Sequence, residues 1–362
     1  MSFRDLVLHP PSRCVASAHP SVQRGSQGAL RFDRTMRVLL LSRNAALYST
    51  SRLALAARAR GHEVAVVDPL DLRIVISRGT PSLFLGDRPA PRADFVLPRI
   101  GASITNYGLA VVRQFDLMGV PVLNTALAIA RSRDKLRAMQ LLTKKNIDVP
   151  VTVCARTPEA IEQALAQVGG PPCIVKLQQG AQGIGTMIAE TRQAVTSLLE
   201  TLWAMGQDIV LQQYIAEAKG RDLRVIVVGG RVVAAMRRQA KAGEFRSNLH
   251  RGGLGVCAAL DDRYRRAAIA ATRVIGLEVA GVDMLETREG PKILEINSSP
   301  GLEGIERTSG IDVSSAIVVH AERYLARHKH RRLTTLDEER RFSRIRATSH
   351  DLHRRRVGTS SG

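Results

Sequence analysis

From Met36 onward the chain alternates short apolar runs with longer mixed stretches. Arg37–Leu41 is a compact apolar run, and Ser51–Arg60 repeats Ala, Leu and Arg as an amphipathic helix does. Gly61 can stop that helix, after which Glu63–Val67 turns apolar again. Two further strands are predicted over Asp94–Leu97 and Val120–Leu123, with a helix over Tyr107–Met118 between them. Strand, helix and strand in alternation predict an open sheet of parallel strands with right-handed crossovers. Its first turn, Ser42–Leu47, contains no glycine, so a pyrophosphate cannot approach the backbone there as it does over GxGxxG. This unit therefore reads as a substrate platform, not a nucleotide site.

The pattern changes near Arg131. A helix is expected over Asp134–Lys145, and a second opens at Thr157-Pro158, with the threonine hydroxyl as cap and proline at the first helical position. The apolar strand Cys173–Leu177 then enters the loop Gln178–Gly185, which holds Gly180, Gly183 and Gly185. A third unit is expected from Ile209: a strand over Ile209–Ile215, a hairpin turning at Gly229-Gly230, a long polar loop, a helix over Arg263–Ile275 and a last hairpin. The division expected is an extension over 1–35, an open-sheet domain over 36–130, further units over 131–208 and 209–327, and a basic tail over 328–362. The first 35 residues show no period of either kind; they read as flexible, or as sequence ahead of a true start at Met36.

Composition alters this picture little, except for charge. The net charge is +20, of which residues 1–35 carry +3 and residues 323–362 carry +8. Such a tail can contact a polyanion such as ribosomal RNA, or can simply be a solvated segment. Over 328–362 Phe342 is the single Phe, Trp or Tyr, so base stacking has little support. No apolar run approaches the ~20 residues of a bilayer span, so no membrane association is expected. The four scattered cysteines form no CxxC pair, which suggests reduced thiols and a cytoplasmic location.

Two places carry chemistry. Lys176 lies inside an apolar strand on the face of Ile174, where an ammonium requires an anion. The glycines that follow can turn backbone N–H groups toward a polyphosphate, although on their own they fit a plain mobile loop as well. The last hairpin is more specific. With Arg288-Glu289-Gly290 as a three-residue loop and Thr287 opposite Pro291, Asp283 stands directly across from Glu295, and Asn297 shares that face. Two carboxylates about 5 Å apart repel by ~3 kcal/mol at an effective dielectric of 20. Neither strand of the hairpin offers a lysine or arginine there, so a hard divalent cation, Mg²⁺ or Mn²⁺, is the economical answer; a solvated polar face is the alternative. Phe245–Gly253 is rich in donors and could order around an anion.

Taken together, Val175-Lys176-Leu177 with its glycine loop, the run FRSNLHRGG over 245–253, Gly281-Val282-Asp283 and the run LEINSSPGLEG over 294–304 resemble the RimK family of glutamate ligases in the ATP-grasp superfamily. Leu41-Ser42-Arg43, Pro98-Arg99-Ile100-Gly101 and Arg133-Asp134-Lys135 extend the likeness from Met36 to about Ala326. The resemblance implies an α/β and α+β chain: an ATP-grasp fold behind an N-terminal open parallel-sheet (pre-ATP-grasp) domain. By position it implies that Lys135 and Lys176 contact the ATP phosphates, that Gln213 and Tyr214 border the adenine and that Asp222 holds the ribose. Arg246, Ser247 and Asn248 would line the phosphates, and Asp283, Glu295 and Asn297 would hold two Mg²⁺ or Mn²⁺ ions. Arg246 and Arg251 are then candidates for holding an acyl phosphate. Gln213 departs from the glutamate often found there, which leaves open whether adenine is read by backbone or side chain. The implied partners are L-glutamate and a ribosomal protein acceptor, small-subunit protein six, with RNA contact through the tail and a homo-oligomeric assembly. A ligase of glutamate to a small-molecule cofactor or dipeptide, and a non-catalytic ribosome-binding protein, are the competing readings.

Overall fold

The computed structural model describes residues 35–178, 185–241, 244, 247 and 252–328. The extension and the tail lie almost wholly outside the described residues, as do Gly180, Gly183, Arg246, Asn248 and Arg251.

The N-terminal sheet is parallel, as expected, with Arg37–Leu41 between Glu63–Val67 and Phe95–Pro98. Its central strand is apolar from Val38 to Leu41 because both faces are covered there. Val38 and Leu40 pack toward the C-terminal half of the chain, with Ile226, Leu302 and Ile317, while Leu39 and Leu41 pack under Val111, Phe115 and Ile129. The strand expected over Val120–Leu123 reduces to one parallel bridge, Val122 to Val96. Pro121 has no N–H with which to continue a ladder. A small antiparallel sheet of Leu72–Val75, Ser82–Leu85 and Arg88–Pro89 was not anticipated.

Two helices meet at Asp134. Ala126–Arg133, not foreseen, ends there, and Lys135–Thr143 begins with the Asp134 carboxylate accepting from Arg137 N. Thr157 does not cap: a short 3₁₀ turn over Pro158–Ala160 precedes the helix Ile161–Val168 and takes up the entry that a cap would have fixed. Ile209–Gln213, expected to open the third unit, instead pairs antiparallel with Cys173–Leu177 and completes a four-stranded sheet with Thr152–Val153 and Thr186–Ala189. Its Ile209 and Leu211 interdigitate with Cys173, Val175 and the helices over 161–168 and 192–204, which fixes it in this unit.

The five-stranded sheet orders Leu254–Cys257, Arg231–Gln239, Arg221–Val228, Val279–Thr287 and Gly290–Asn297, all antiparallel. One face packs on the helix Asp262–Ile275. The other is divided. At one end Ile226, Val228, Ala234 and Met236 are roofed by the N-terminal sheet; at the other lie Asp222, Arg224, Arg238, Asp283 and Glu295. A closing helix over 313–328 seals the roof through Val313, Ile317, Ala321 and Leu325. Among the described residues no helix is long and apolar enough to cross a membrane. Cys154 and Cys173 are free thiols.

Candidate active site

The last hairpin places its carboxylates as expected but by another route. Thr287 pairs with Gly290, so the turn has two residues, Arg288 and Glu289, and not three. That register alone would set Asp283 against Leu294 and turn one of the two acidic side chains to the wrong face. A bulge between Asp283 and Met284 adds the missing residue and restores Asp283 opposite Glu295, with Gly281 opposite Asn297.

The cations missing from the hairpin come from its neighbours. Arg224, opposite Asp283 on the adjoining strand, donates to its two oxygens at 2.8 and 2.6 Å. Arg238, one strand further, pairs with Asp222 and reaches Asp283 at 3.0 Å. Burial would push the Asp283 carboxyl up, but Arg224 and Arg238 outweigh it and hold the group down at about 2. Arg238 side-chain exposure is 3%, so both of its carboxylate partners are needed to offset its desolvation. The Asp222 carboxylate, assigned by resemblance to a ribose, is thus engaged with Arg238. Glu295 forms no ion pair within 4 Å among the described residues; it is felt at a distance by Arg133, Lys135 and Lys176.

Lys135 and Lys176 meet on the facing wall. Lys135 Nζ donates to the carbonyls of Leu177 and Gln178 at 3.0 and 3.3 Å, and Lys176 Nζ donates to Gln212 Oε1 at 2.6 Å. Burial pushes the Lys176 ammonium down to about 8; Glu295 and Asp283 pull it up and Lys135 pushes it further down. Together with Leu136, Met139, Thr152, Val210, Gln212 and Leu294 they line a cleft between the four-stranded and five-stranded sheets. Gln213 ends its strand with its N–H donated to the Val151 carbonyl at 2.8 Å, and half-buried Tyr214 follows. Ser247 is buried.

Lys135 and Lys176, facing an acidic hairpin across a cleft, suit a polyphosphate with its metal. No group of three His, Cys, Asp or Glu is gathered among the described residues. The hard oxygens of Asp283, Glu295 and Asn297 fit Mg²⁺, provided that Asp283 exchanges part of its arginine contact for the ion. Sequence reasoning missed Arg224 and Arg238, because only the hairpin's own strands were considered. It also missed Asn124, which is 3% exposed and makes four hydrogen bonds. Its amide donates to the carbonyls of Val279 and Ser298 and accepts from the N–H groups of Glu278 and Val279, tying the loop after Asn297 to the strand that carries Asp283. A lone asparagine after a strand carries no signal of this.

Residues 36–129 match the family model of the RimK PreATP-grasp domain, and residues 132–320 that of the RimK-like ATP-grasp domain. A probable alpha-L-glutamate ligase 1 from Shewanella frigidimarina is 51% identical over 288 residues, covering 80% of this chain and 96% of that protein. Among solved structures, the ATP-grasp ligase PsnB complexed with a minimal precursor has a TM-score of 0.64 at 22% identity, covering 80% of this chain and 99% of that one. The same ligase complexed with the precursor, Mg and ADP gives 0.62 at 21% identity, covering 80% and 98%. At those identities the likeness shows the shared fold.

Proposed function

The chain belongs to the RimK-like ATP-grasp family of ligases, and we propose that it joins L-glutamate to the C-terminal carboxylate of a ribosomal protein, small-subunit protein six. As a member it is an ATP-dependent, Mg²⁺-requiring ligase that forms C–N bonds. The observation that supports the finer reading best is the cleft itself: Lys135 and Lys176 on one wall and Asp283 opposite Glu295 on the other.

In this reading the acceptor carboxylate attacks the γ-phosphate of ATP and ADP leaves; the glutamate amine then attacks the acyl phosphate, loses a proton and releases phosphate. Lys135 and Lys176 hold the ATP phosphates, and withdrawal from water strengthens their attraction for them. Gln213 and Tyr214 border the adenine. Gln213 donates its own N–H to the Val151 carbonyl and its Oε1 accepts from the Val151 N–H at 3.4 Å, so its side-chain NH2 is what it offers a base. Asp222 faces the ribose while anchored by Arg238. Asp283, Glu295 and Asn297 would hold two Mg²⁺ or Mn²⁺ ions, which supply positive charge where negative charge develops on the transferred phosphoryl group. Ser247, with Arg246 and Asn248, completes the phosphate side, and Arg246 and Arg251 hold the acyl phosphate. The chain's positive charge suits an acidic acceptor.

Phosphate release from ATP with glutamate, measured with and without the ribosomal protein, tests this. Acceptor-dependent release together with a mass gain of one or more glutamyl units is expected. An acceptor peptide amidated at its C-terminus should be inert, because acyl phosphate formation needs that carboxylate as nucleophile. A mass gain on the amidated peptide would overturn α-linked extension. Labelling of a small glutamyl-accepting molecule and of no ribosomal protein would overturn the acceptor.

A further inference from the structure

Two arginines beside the cleft have no part in the scheme above. Arg99 follows the strand Phe95–Pro98, and Arg133 ends the helix Ala126–Arg133. Arg99 Nη2 donates to the Pro300 carbonyl at 2.7 Å, and Arg133 Nη2 donates to the Ile100 carbonyl. Those contacts leave most of the ten guanidinium N–H bonds unaccounted for, and Arg133 Nε is buried with no partner. Among the described residues neither arginine forms an ion pair. The most deeply buried paired arginine, Arg238, has by contrast two carboxylates, Asp222 and Asp283.

Arg99 and Arg133 have each other instead. Burial, and then repulsion from Arg133, pushes the Arg99 guanidinium down to about 10; burial lowers Arg133 as well, against the pull of Glu295. Both keep some accessible surface in spite of this burial, as groups on the wall of a cleft do. The loop that receives Arg99 through Pro300 also carries Ser298 and Ser299, whose hydroxyls are buried and unpartnered. Adjacent desolvated cations and orphan donors are costly unless an anion arrives.

The geometry points to a carboxylate-binding subsite of the ligation centre, formed by Arg99 and Arg133 against the Ser298–Pro300 loop. Phosphate is already answered by Lys135 and Lys176 in the scheme above, whereas the planar guanidinium fork matches a carboxylate with two parallel hydrogen bonds. The loop begins one residue beyond Asn297, so a carboxylate held there lies next to the reacting groups. The inference rests on the glutamate-ligase reading, in which either glutamate or the acceptor's end can supply this carboxylate.

Arg99→Gln and Arg133→Gln, with Arg99→Lys and Arg133→Lys beside them, test it on the full chain. Loss of a charge-assisted contact should raise the KM of one carboxylate substrate at least about tenfold, with ATP KM unchanged and partial recovery in the lysine variants. A rise confined to glutamate assigns the subsite to the amino acid; a rise confined to the acceptor peptide assigns it to the acceptor. Unmoved KM values for both, in enzyme that turns over, overturn the proposal. Glutarate, a dicarboxylate that cannot react, gives a reading free of turnover. It should raise the melting temperature of the wild type and not of the Gln variants, even if glutamate proves not to be the substrate. Equal protection of wild type and variants overturns the subsite.

Discussion

At the scale of single residues, Asp283 and Glu295 look equivalent in the sequence and are not equivalent in the fold. Asp283 answers two arginines, and Glu295 makes no close ion pair among the described residues. Asp283→Asn should therefore cost about 3–5 kcal/mol, because Arg224 and Arg238 would lose a buried partner. Glu295→Gln should change stability by less than about 1 kcal/mol. Both should abolish ligation, and thermal melts beside activity assays separate the two effects; equal melting temperatures would contradict the arginine network. Lys176 permits a second test. Its folded value of about 8 lies below the ordinary lysine value, so between those limits the unfolded chain binds the proton more tightly. The contribution of Lys176 therefore makes stability rise with pH across that window. Bound ATP reverses the balance by favouring the ammonium, so ATP binding near pH ~8.5 should take up a proton, and affinity should weaken as pH rises further. Lys135, lowered mainly by burial, adds in the same direction. Calorimetry in buffers of different ionisation heat reads this uptake, which should shrink in Lys176→Met. That variant also orphans Gln212 Oε1, which offsets the relief of a desolvated charge and keeps apo stability within about 1 kcal/mol, while ATP affinity falls at least about tenfold.

At the scale of elements, the sequence was legible wherever a period or a turn signal is local. The strands Arg37–Leu41, Glu63–Val67 and Cys173–Leu177 and the turn at Gly229-Gly230 stand where the apolar runs and glycines placed them. What could not be read was which strands become neighbours. Arg224 and Arg238 face Asp283 only because the strand order sets the hairpin over 221–239 beside the distant strand Val279–Thr287, and the bulge beside Met284 has no sequence signature. The facing of Asp283 and Glu295 was still legible, because an expected three-residue loop and an actual two-residue turn with a bulge give the same pairing. Two of the contacts that hold the loop after Asn297 each give a prediction. Gly281 has no Cβ because one would sit 2.7 Å from Pro300 Cβ, so Gly281→Ala must displace that loop. The cost should be about 1–3 kcal/mol. Asn124→Ala removes four buried hydrogen bonds to the same region and should cost about 2–4 kcal/mol. Both should lower kcat/KM for ligation more than they raise the ATP KM. Wild-type ligation in Asn124→Ala would show that the loop needs no such clamp.

At the scale of the whole molecule, the cleft depends on how the N-terminal sheet is fastened to the C-terminal half. The closing helix over 313–328 supplies apolar contacts to that sheet, and Glu322, with 6% side-chain exposure, accepts from Arg60 at 2.7 and 2.8 Å and pairs with His62 at 2.9 Å. Arg52 adds bonds to Glu306 and Asp312. The position of a truncation therefore decides its effect. Deleting residues 331–362 spares every one of these contacts and should leave ligation of a free acceptor peptide unchanged. Deleting from residue 313 removes Glu322 together with Val313, Ile317, Ala321 and Leu325, and should leave no stable fold. The 331–362 deletion also removes nine arginines against four acids, a net +5 of the chain's +20. If that segment contacts ribosomal RNA, ribosome affinity should fall as it does for the intact chain when salt is raised, because neutralised phosphates release counterions in both cases. Binding measured against salt for the two chains reads this directly. A shallower slope for the shortened chain, with equal peptide ligation, assigns the tail to tethering. An unchanged slope would place any ribosome contact on the catalytic units themselves.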